Sequence, residues 1–134
     1  MEEIEILKEL KVDPSALVWV HAQVETDRSL HKQAARMGTW VSLDGITNDF
    51  DNYVEAITKL KEAGYLHRVL ISHDAGYYRP GEINGGNFTA YTAIFKELVP
   101  RLVQKGFTEK DIRQLLEKNP AQALQLRIRK FRGA

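Results

Sequence analysis

The chain has 134 residues, 43% of them hydrophobic and 28% charged, the size and balance of one ordinary globular domain that can bury a core. Lys and Arg number 19 against 18 Asp and Glu, a net charge of +1, so no overall field points to nucleic acid or to an anionic membrane as partner. Cysteine is absent, which excludes disulfides, thiolate nucleophiles and Cys-ligated zinc.

The opening Glu2-Glu3-Ile4-Glu5 is too acidic for a signal peptide, and no apolar stretch approaches the roughly 20 residues needed to span a bilayer. A soluble, unexported, cytoplasmic chain is the expectation. Ile4, Leu7, Leu10 and Val12 recur as on an amphipathic helix, which Asp13-Pro14-Ser15 breaks. Leu17-Val18-Trp19-Val20 reads as a strand that stops on His21, ahead of Gln23, Glu25 and Asp27. Thr26 or Asp27 can cap a helix bearing Leu30, Ala34, Ala35 and Met37, which Gly38 ends. Trp40-Val41-Ser42-Leu43 is a second strand. Asp49 or Asp51 can start a third helix with Tyr53, Val54, Ile57 and Leu60 on one face and Gly64 at its end. Val69-Leu70-Ile71 is a third strand. This alternation, with connections long enough for right-handed crossovers, predicts three neighbouring strands in one parallel sheet.

Residues 75–90 carry Gly76, Pro80, Gly81, Gly85 and Gly86 and predict a long structured loop, of the kind that is usually functional or disordered. Residues 91–105 predict a helix with Ile94, Phe95, Leu98, Leu102 and Val103 inward and a bend at Pro100. Thr108-Glu109-Lys110-Asp111 has the form of a capping box opening a helix through Ile112, Leu115 and Leu116. Asn119-Pro120 restarts a last short helix over 121–126, and Arg127, Arg129, Lys130 and Arg132 read as a solvated tail. No repeat, low-complexity segment or linker divides the chain, so 1–134 is expected to form a single domain.

The chemistry concentrates at two strand ends. Leu70-Ile71-Ser72-His73-Asp74 is an apolar run that ends in a carboxylate before a loop rich in glycine and aromatic residues, the build of a metal or catalytic site at the carboxyl end of a parallel strand. His21 ends the first strand in the same way, so parallel neighbours would offer His21 and Asp74 to one mouth. A carboxylate there is costly unless a cation or hydrogen bonds compensate it; the plainer alternative for Asp74 is a cap on the loop. Strand alternation turns His73 toward the helices. His31, among Lys32, Gln33 and Arg36, is expected in solvent, and His67 lies at the end opposite the mouth. Asp44 either lines the mouth or bonds a loop amide, and Gly45 beside it favours the amide. Trp19 and Trp40 are expected to pack between sheet and helices.

Val20-His21-Ala22-Gln23, Trp40-Val41-Ser42-Leu43-Asp44-Gly45-Ile46, Ser72-His73-Asp74-Ala75-Gly76 and Asn119-Pro120-Ala121, in that order and spacing, resemble the closing part of the phosphotriesterase family, within the amidohydrolase superfamily. The likeness is to the phosphotriesterase-related proteins more than to the organophosphate-degrading enzymes. No single tetrapeptide is specific, whereas the ordered set is. The resemblance implies an α/β fold, a partial (β/α)8 TIM barrel holding the last three parallel strands with flanking helices. It also implies a divalent-metal cofactor, zinc first among zinc, manganese and iron, with two ions in the complete site. His21 then falls on the sixth-strand histidine that binds the more exposed metal. Asp74 falls on the eighth-strand aspartate, which binds the buried metal and takes a proton from the bridging hydroxide as the catalytic carboxylate. Tyr77, Tyr78 and Arg79 fall in the loop that shapes the substrate pocket.

The departures are equally specific. A complete barrel needs roughly 200 or more residues, and the first five strands have no counterpart here. The His-x-His pair, the bridging carboxylate of strand four and the strand-five histidine are missing with them. The resemblance therefore implies part of a metal-dependent hydrolase acting on a small-molecule ester, lactone or phosphotriester, inactive as the isolated chain. The alternative from another class is a non-catalytic assembly or binding module that keeps the half-barrel. In either case two unpaired sheet edges predict association, as a homo-oligomer or with a complementing N-terminal half.

Overall fold

The computed structural model describes residues 2–129. Helix α1 (Glu2–Glu9) buries Ile4 and leads through a short turn at Pro14–Ala16, capped by the Asp13 carboxylate accepting from the Ser15 amide, into strand β1 (Val18–Trp19). Helix α2 (Arg28–Arg36), capped by Asp27, returns the chain to β2 (Trp40–Leu43), and α3 (Phe50–Glu62) returns it to β3 (Val69–Ile71). The three strands form one parallel sheet in the order β1-β2-β3, with Val18 opposite Trp40, and Val41 opposite Val69. Two helical crossovers of this length have this outcome because parallel strands cannot be joined by a hairpin.

The central strand sets the core. All four β2 residues are buried, as a strand covered on both faces must be. Ala56, Ile57 and Leu60 of α3 lie fully out of solvent against it, on the helical spacing that the sequence shows. Beyond β3 a long loop runs to a π-helical segment at Ile94–Leu98, continued by α4 (Val99–Gln104). Helix α5 (Glu109–Arg113) opens on a capping box in which Thr108 and Asp111 exchange hydrogen bonds, and passes through a second π-helical segment, Gln114–Lys118, into α6 (Asn119–Leu124).

Several expectations are corrected. The first strand is two residues long, not 17–20, because the backbone turns at His21, where φ is +54°. Phe95 and Val103, expected inward, are 60% and 54% exposed. The π turn before α4 advances the helix by one residue, and the inward stripe becomes Ile94, Leu98 and Leu102. Pro100 and Pro120 stand two residues beyond the ends of the two π segments, where the wider turn accommodates a residue that has no N–H to donate. The helix that opens at α5 is therefore carried through Asn119-Pro120, and its regular part ends at Leu124 rather than at 126. Arg129 is no solvated tail residue: its guanidinium donates to the Ala123 and Gln125 carbonyls, and its own carbonyl accepts from the Asp13 amide. Lys130 and Arg132 lie outside the described residues.

Asn119 is buried at the end of the sheet opposite the mouth. Its amide donates to the Leu66 and Val69 carbonyls at 2.8 and 2.6 Å, and its oxygen accepts from Gln114. This pins the last helix to the start of β3 and gives the Asn119-Pro120-Ala121 motif a structural role.

Candidate metal centre

His21, Asp44 and Asp74 follow β1, β2 and β3 respectively, on one rim of the sheet. One ligand atom from each lies within 4.8 Å of the others, the one such group of three among the described residues. The expected convergence of His21 and Asp74 is thus present, and Asp44 joins them. Both His21 and Asp74 sit in left-handed backbone, at φ +54° and +42°. Such conformations cost of order 1–3 kcal/mol each for non-glycine residues and cluster at functional sites.

Asp44 is the buried member, 5% exposed, while the His21 ring and Asp74 stand open to solvent. Its Oδ2 accepts from the His21 amide at 2.9 Å and from the Ser42 hydroxyl at 3.3 Å. Its Oδ1 meets His21 Nδ1 at 2.5 Å and accepts from the Gln23 amide nitrogen at 3.1 Å. Gln23 Oε1 in turn accepts from the Asp44 amide, and the Tyr53 hydroxyl donates to the Asp44 carbonyl. Burial pushes the Asp44 carboxyl up, but the bonds from the His21 amide, the Gln23 side chain and the His21 ring outweigh it and hold the group below its ordinary value. Both sequence alternatives for Asp44 hold together: it lines the mouth and it bonds a loop amide. The signal that would have ranked it higher is its place one residue beyond a strand end.

Asp74 is set differently. The Tyr77 hydroxyl donates to its Oδ1, and Tyr91 closes over the base of the same loop by donating to the Ala75 carbonyl at 2.7 Å. Gly76 permits this approach, since at φ +77° a Cβ there would lie 2.0 Å from the Tyr91 hydroxyl. Tyr77, Tyr78 and Arg79 are all exposed along the loop; Tyr77 reaches Asp74, whereas Tyr78 covers Gly85 and Arg79 pairs with Glu82.

Two of the other histidines are structural, one of them against expectation. His31 is fully buried rather than solvated, with Nε2 2.7 Å from the Ala22 carbonyl and its ring edge-on to Trp19. Helix α2 turns this residue inward to hold the turn that carries His21, so its polar sequence neighbours mislead. His73 is buried and its Nε2 accepts from the Ile94 amide, which seats the start of the π-helical segment. His67 is exposed at the far end.

The donor set suits a divalent ion. An imidazole nitrogen and a carboxylate oxygen, convergent, exposed and free of thiolate, are what zinc, manganese or iron accept.

The phosphotriesterase family model matches residues 1–124. An N-acetyltaurine hydrolase from Danio rerio is 28% identical over 90% of this chain and 38% of its own length, and a phosphotriesterase homology protein from Escherichia coli is 26% identical over 93% and 44%. Among solved structures, a lactonase from Listeria monocytogenes superposes with a TM-score of 0.80 at 30% identity, over 94% of this chain and 41% of that one. The structural neighbours are TIM barrels, and the three strands with their helices match part of such a barrel. The chain spans about two fifths of the length of the relatives it matches.

Proposed function

This chain belongs to the phosphotriesterase family, and from that premise we propose that it supplies the sixth-, seventh- and eighth-strand side of a divalent-metal hydrolase site, with His21 and Asp74 as ligands. The observation that carries the reading is the convergence of His21, Asp44 and Asp74 at the carboxyl ends of three consecutive parallel strands. In open and closed α/β sheets alike, this rim is where ligands bind.

Zinc is the favoured ion, in a pair when the site is complete; bound there, it lowers the pKa of water toward neutrality and polarises the oxygen of the scissile bond. The chain's own contributions are distinct from that. Asp74, exposed and in reach of the mouth, accepts the proton that the attacking water gives up. Tyr77, Tyr78 and Arg79 line the approach and meet the substrate. The bond cleaved belongs to a small-molecule ester, lactone or phosphotriester, a range that the names of the relatives span.

The remaining ligands of the family, a His-x-His pair among them, have no counterpart in these residues, so this stretch by itself is inactive and the rest of such a barrel supplies them. Among the described residues, strands β1 and β3 each keep one unpaired edge. Beside β1 an apolar groove of about 350 Å³ lies between Ile4, Leu17, Trp19, Val20 and Ala34. A complementing five-stranded portion of such a barrel fits these edges, and a second copy of this chain is the competing occupant. The absence of cysteine fits a reducing cytoplasm as its compartment.

The test is to assay the chain with zinc or manganese against lactone, ester and phosphotriester substrates, alone and mixed with the five-stranded portion of a family member. Turnover is expected only in the mixture, and Asp74→Asn should abolish it. Turnover by the chain alone, lost in Asp74→Asn, would overturn the complementation, and a mixture that forms a complex but binds no metal would overturn the site.

A further inference from the structure

The Asp44 carboxylate looks at first like a third metal ligand, but its bonding excludes that role. An ionised carboxylate has about four lone-pair positions. All four are taken: His21 Nδ1 and Gln23 Nε2 on Oδ1, the His21 amide and the Ser42 hydroxyl on Oδ2. No position faces the mouth unspent.

The bonds also have a fixed direction. The Asp44 amide can only donate, so the Gln23 oxygen must face it and the Gln23 nitrogen must face the carboxylate. With every other partner of the carboxylate a donor, the His21 ring at 2.5 Å must donate as well, which puts the proton on Nδ1. The lone pair of a neutral imidazole then resides on Nε2, the ring nitrogen that Asp44 does not engage.

We propose that Asp44, seated by Gln23 and Ser42, is the positioning residue of this site: it fixes His21 in the Nδ1–H tautomer and aims Nε2 at the rim as a preformed ligand. The proposal deepens the reading of His21 as a ligand and rests on it for its functional meaning, yet it concerns a property of the metal-free chain. Histidine ligands commonly donate their second nitrogen to a carboxylate, which raises their basicity and stops the ring rotating. The strained backbone at His21 serves the same end, because at φ +54° its amide as well as its ring reaches a single carboxylate.

The experiment reads the imidazole nitrogens of the ¹⁵N-labelled, metal-free chain by long-range proton–nitrogen correlation at mildly alkaline pH. His31 and His73 are internal standards of opposite kind, since His31 Nε2 donates to Ala22 and His73 Nε2 accepts from Ile94. His21 should show the His73 pattern, with a protonated Nδ1 carried downfield by Asp44. Asp44→Asn should collapse the separation between the two His21 nitrogen signals toward tautomer averaging, and leave His31 and His73 unmoved. Gln23→Leu, which spares the His21–Asp44 contact, should give a smaller shift in the same direction and covers the case in which Asp44→Asn does not fold. A native His21 with the proton on Nε2, averaged nitrogens in the native chain, or a pattern indifferent to both substitutions overturns the proposal. Because no metal or substrate is present, its failure is distinguishable from failure of the hydrolase reading.

Discussion

The Tyr77 hydroxyl donates to the carboxylate of Asp74, three residues earlier on the same loop, so one candidate pocket residue lies directly on the candidate catalytic group. The contact ties the loop to the candidate metal rim and holds one Asp74 oxygen, while the other takes no hydrogen bond among the described residues.

The Tyr77–Asp74 contact fixes how Tyr77 titrates. The hydrogen bond to Asp74 favours the neutral phenol, and burial and the Asp74 charge oppose the phenolate, so the group is raised above its ordinary value of 10.0. In an ultraviolet difference titration, Asp74→Asn should move one tyrosine down toward that value, and Tyr77→Phe should remove the same component. An unchanged tyrosine titration in Asp74→Asn would show that the two groups do not interact in solution.

The buried His31 makes stability depend on acid. Burial holds its pKa below 6.5, against the opposing hydrogen bond to the Ala22 carbonyl. The folded state then binds fewer protons than the unfolded chain once the pH falls below about 6.5, so the stabilisation is complete above that pH and is lost as pH falls toward the lowered folded-state value. His73, also lowered by burial, acts in the same direction. Urea midpoints should therefore decline from neutral to mildly acidic pH, and His31→Leu should flatten the decline at a cost of about 1–3 kcal/mol at neutral pH for the lost buried bond. A His31→Leu profile parallel to the native one counts against this assignment.

Asp111 gives the opposite case, at the far end of the molecule. Burial raises it, but the bonds from Lys61 and from the Thr108 amide and hydroxyl, with the Lys61 charge, bring it to about 2. A carboxylate depressed in this way contributes fully above its unfolded value, near 3.8, and loses that contribution as pH falls through about 2. Asp111→Asn should lower stability at neutral pH by about 1 kcal/mol, the value of a helix cap. The difference from the native chain should shrink in strong acid, and thermal melts at the two pH values check both signs.

The sheet was legible in the sequence because its signals are local. Apolar runs at β2 and β3, helical spacing in α3 and the Thr108 capping box each depend on a few adjacent residues. His21 and Asp74 were legible for a related reason: parallel strands separated by crossovers place their carboxyl ends on one rim, so position after an apolar run already fixes the neighbourhood. What escaped depends on contacts across the fold. The burial of His31 is decided by the Ala22 carbonyl and Trp19, and the exposure of Phe95 and Val103 by a one-residue π insertion that leaves no mark in hydrophobic periodicity. The reciprocal Gln23–Asp44 pair joins residues 21 positions apart through side-chain amide orientation, which no local pattern encodes.

The mouth loop offers a last check through Gly76. Alanine there must adopt φ near +77°, which costs about 1–2 kcal/mol for an L-residue. Its methyl would also occupy the place of the Tyr91 hydroxyl, 2.0 Å away, and drive that side chain off the Ala75 carbonyl. Tyr91→Phe removes the hydrogen bond alone and leaves the backbone unstrained. Gly76→Ala should therefore destabilise more than Tyr91→Phe, and both should increase proteolytic cleavage within residues 75–90 without disturbing α3 or β2. If Gly76→Ala leaves cleavage of the loop at the native rate, the Tyr91 clasp does not order the rim, and the placement of Tyr77 against Asp74 must have another cause.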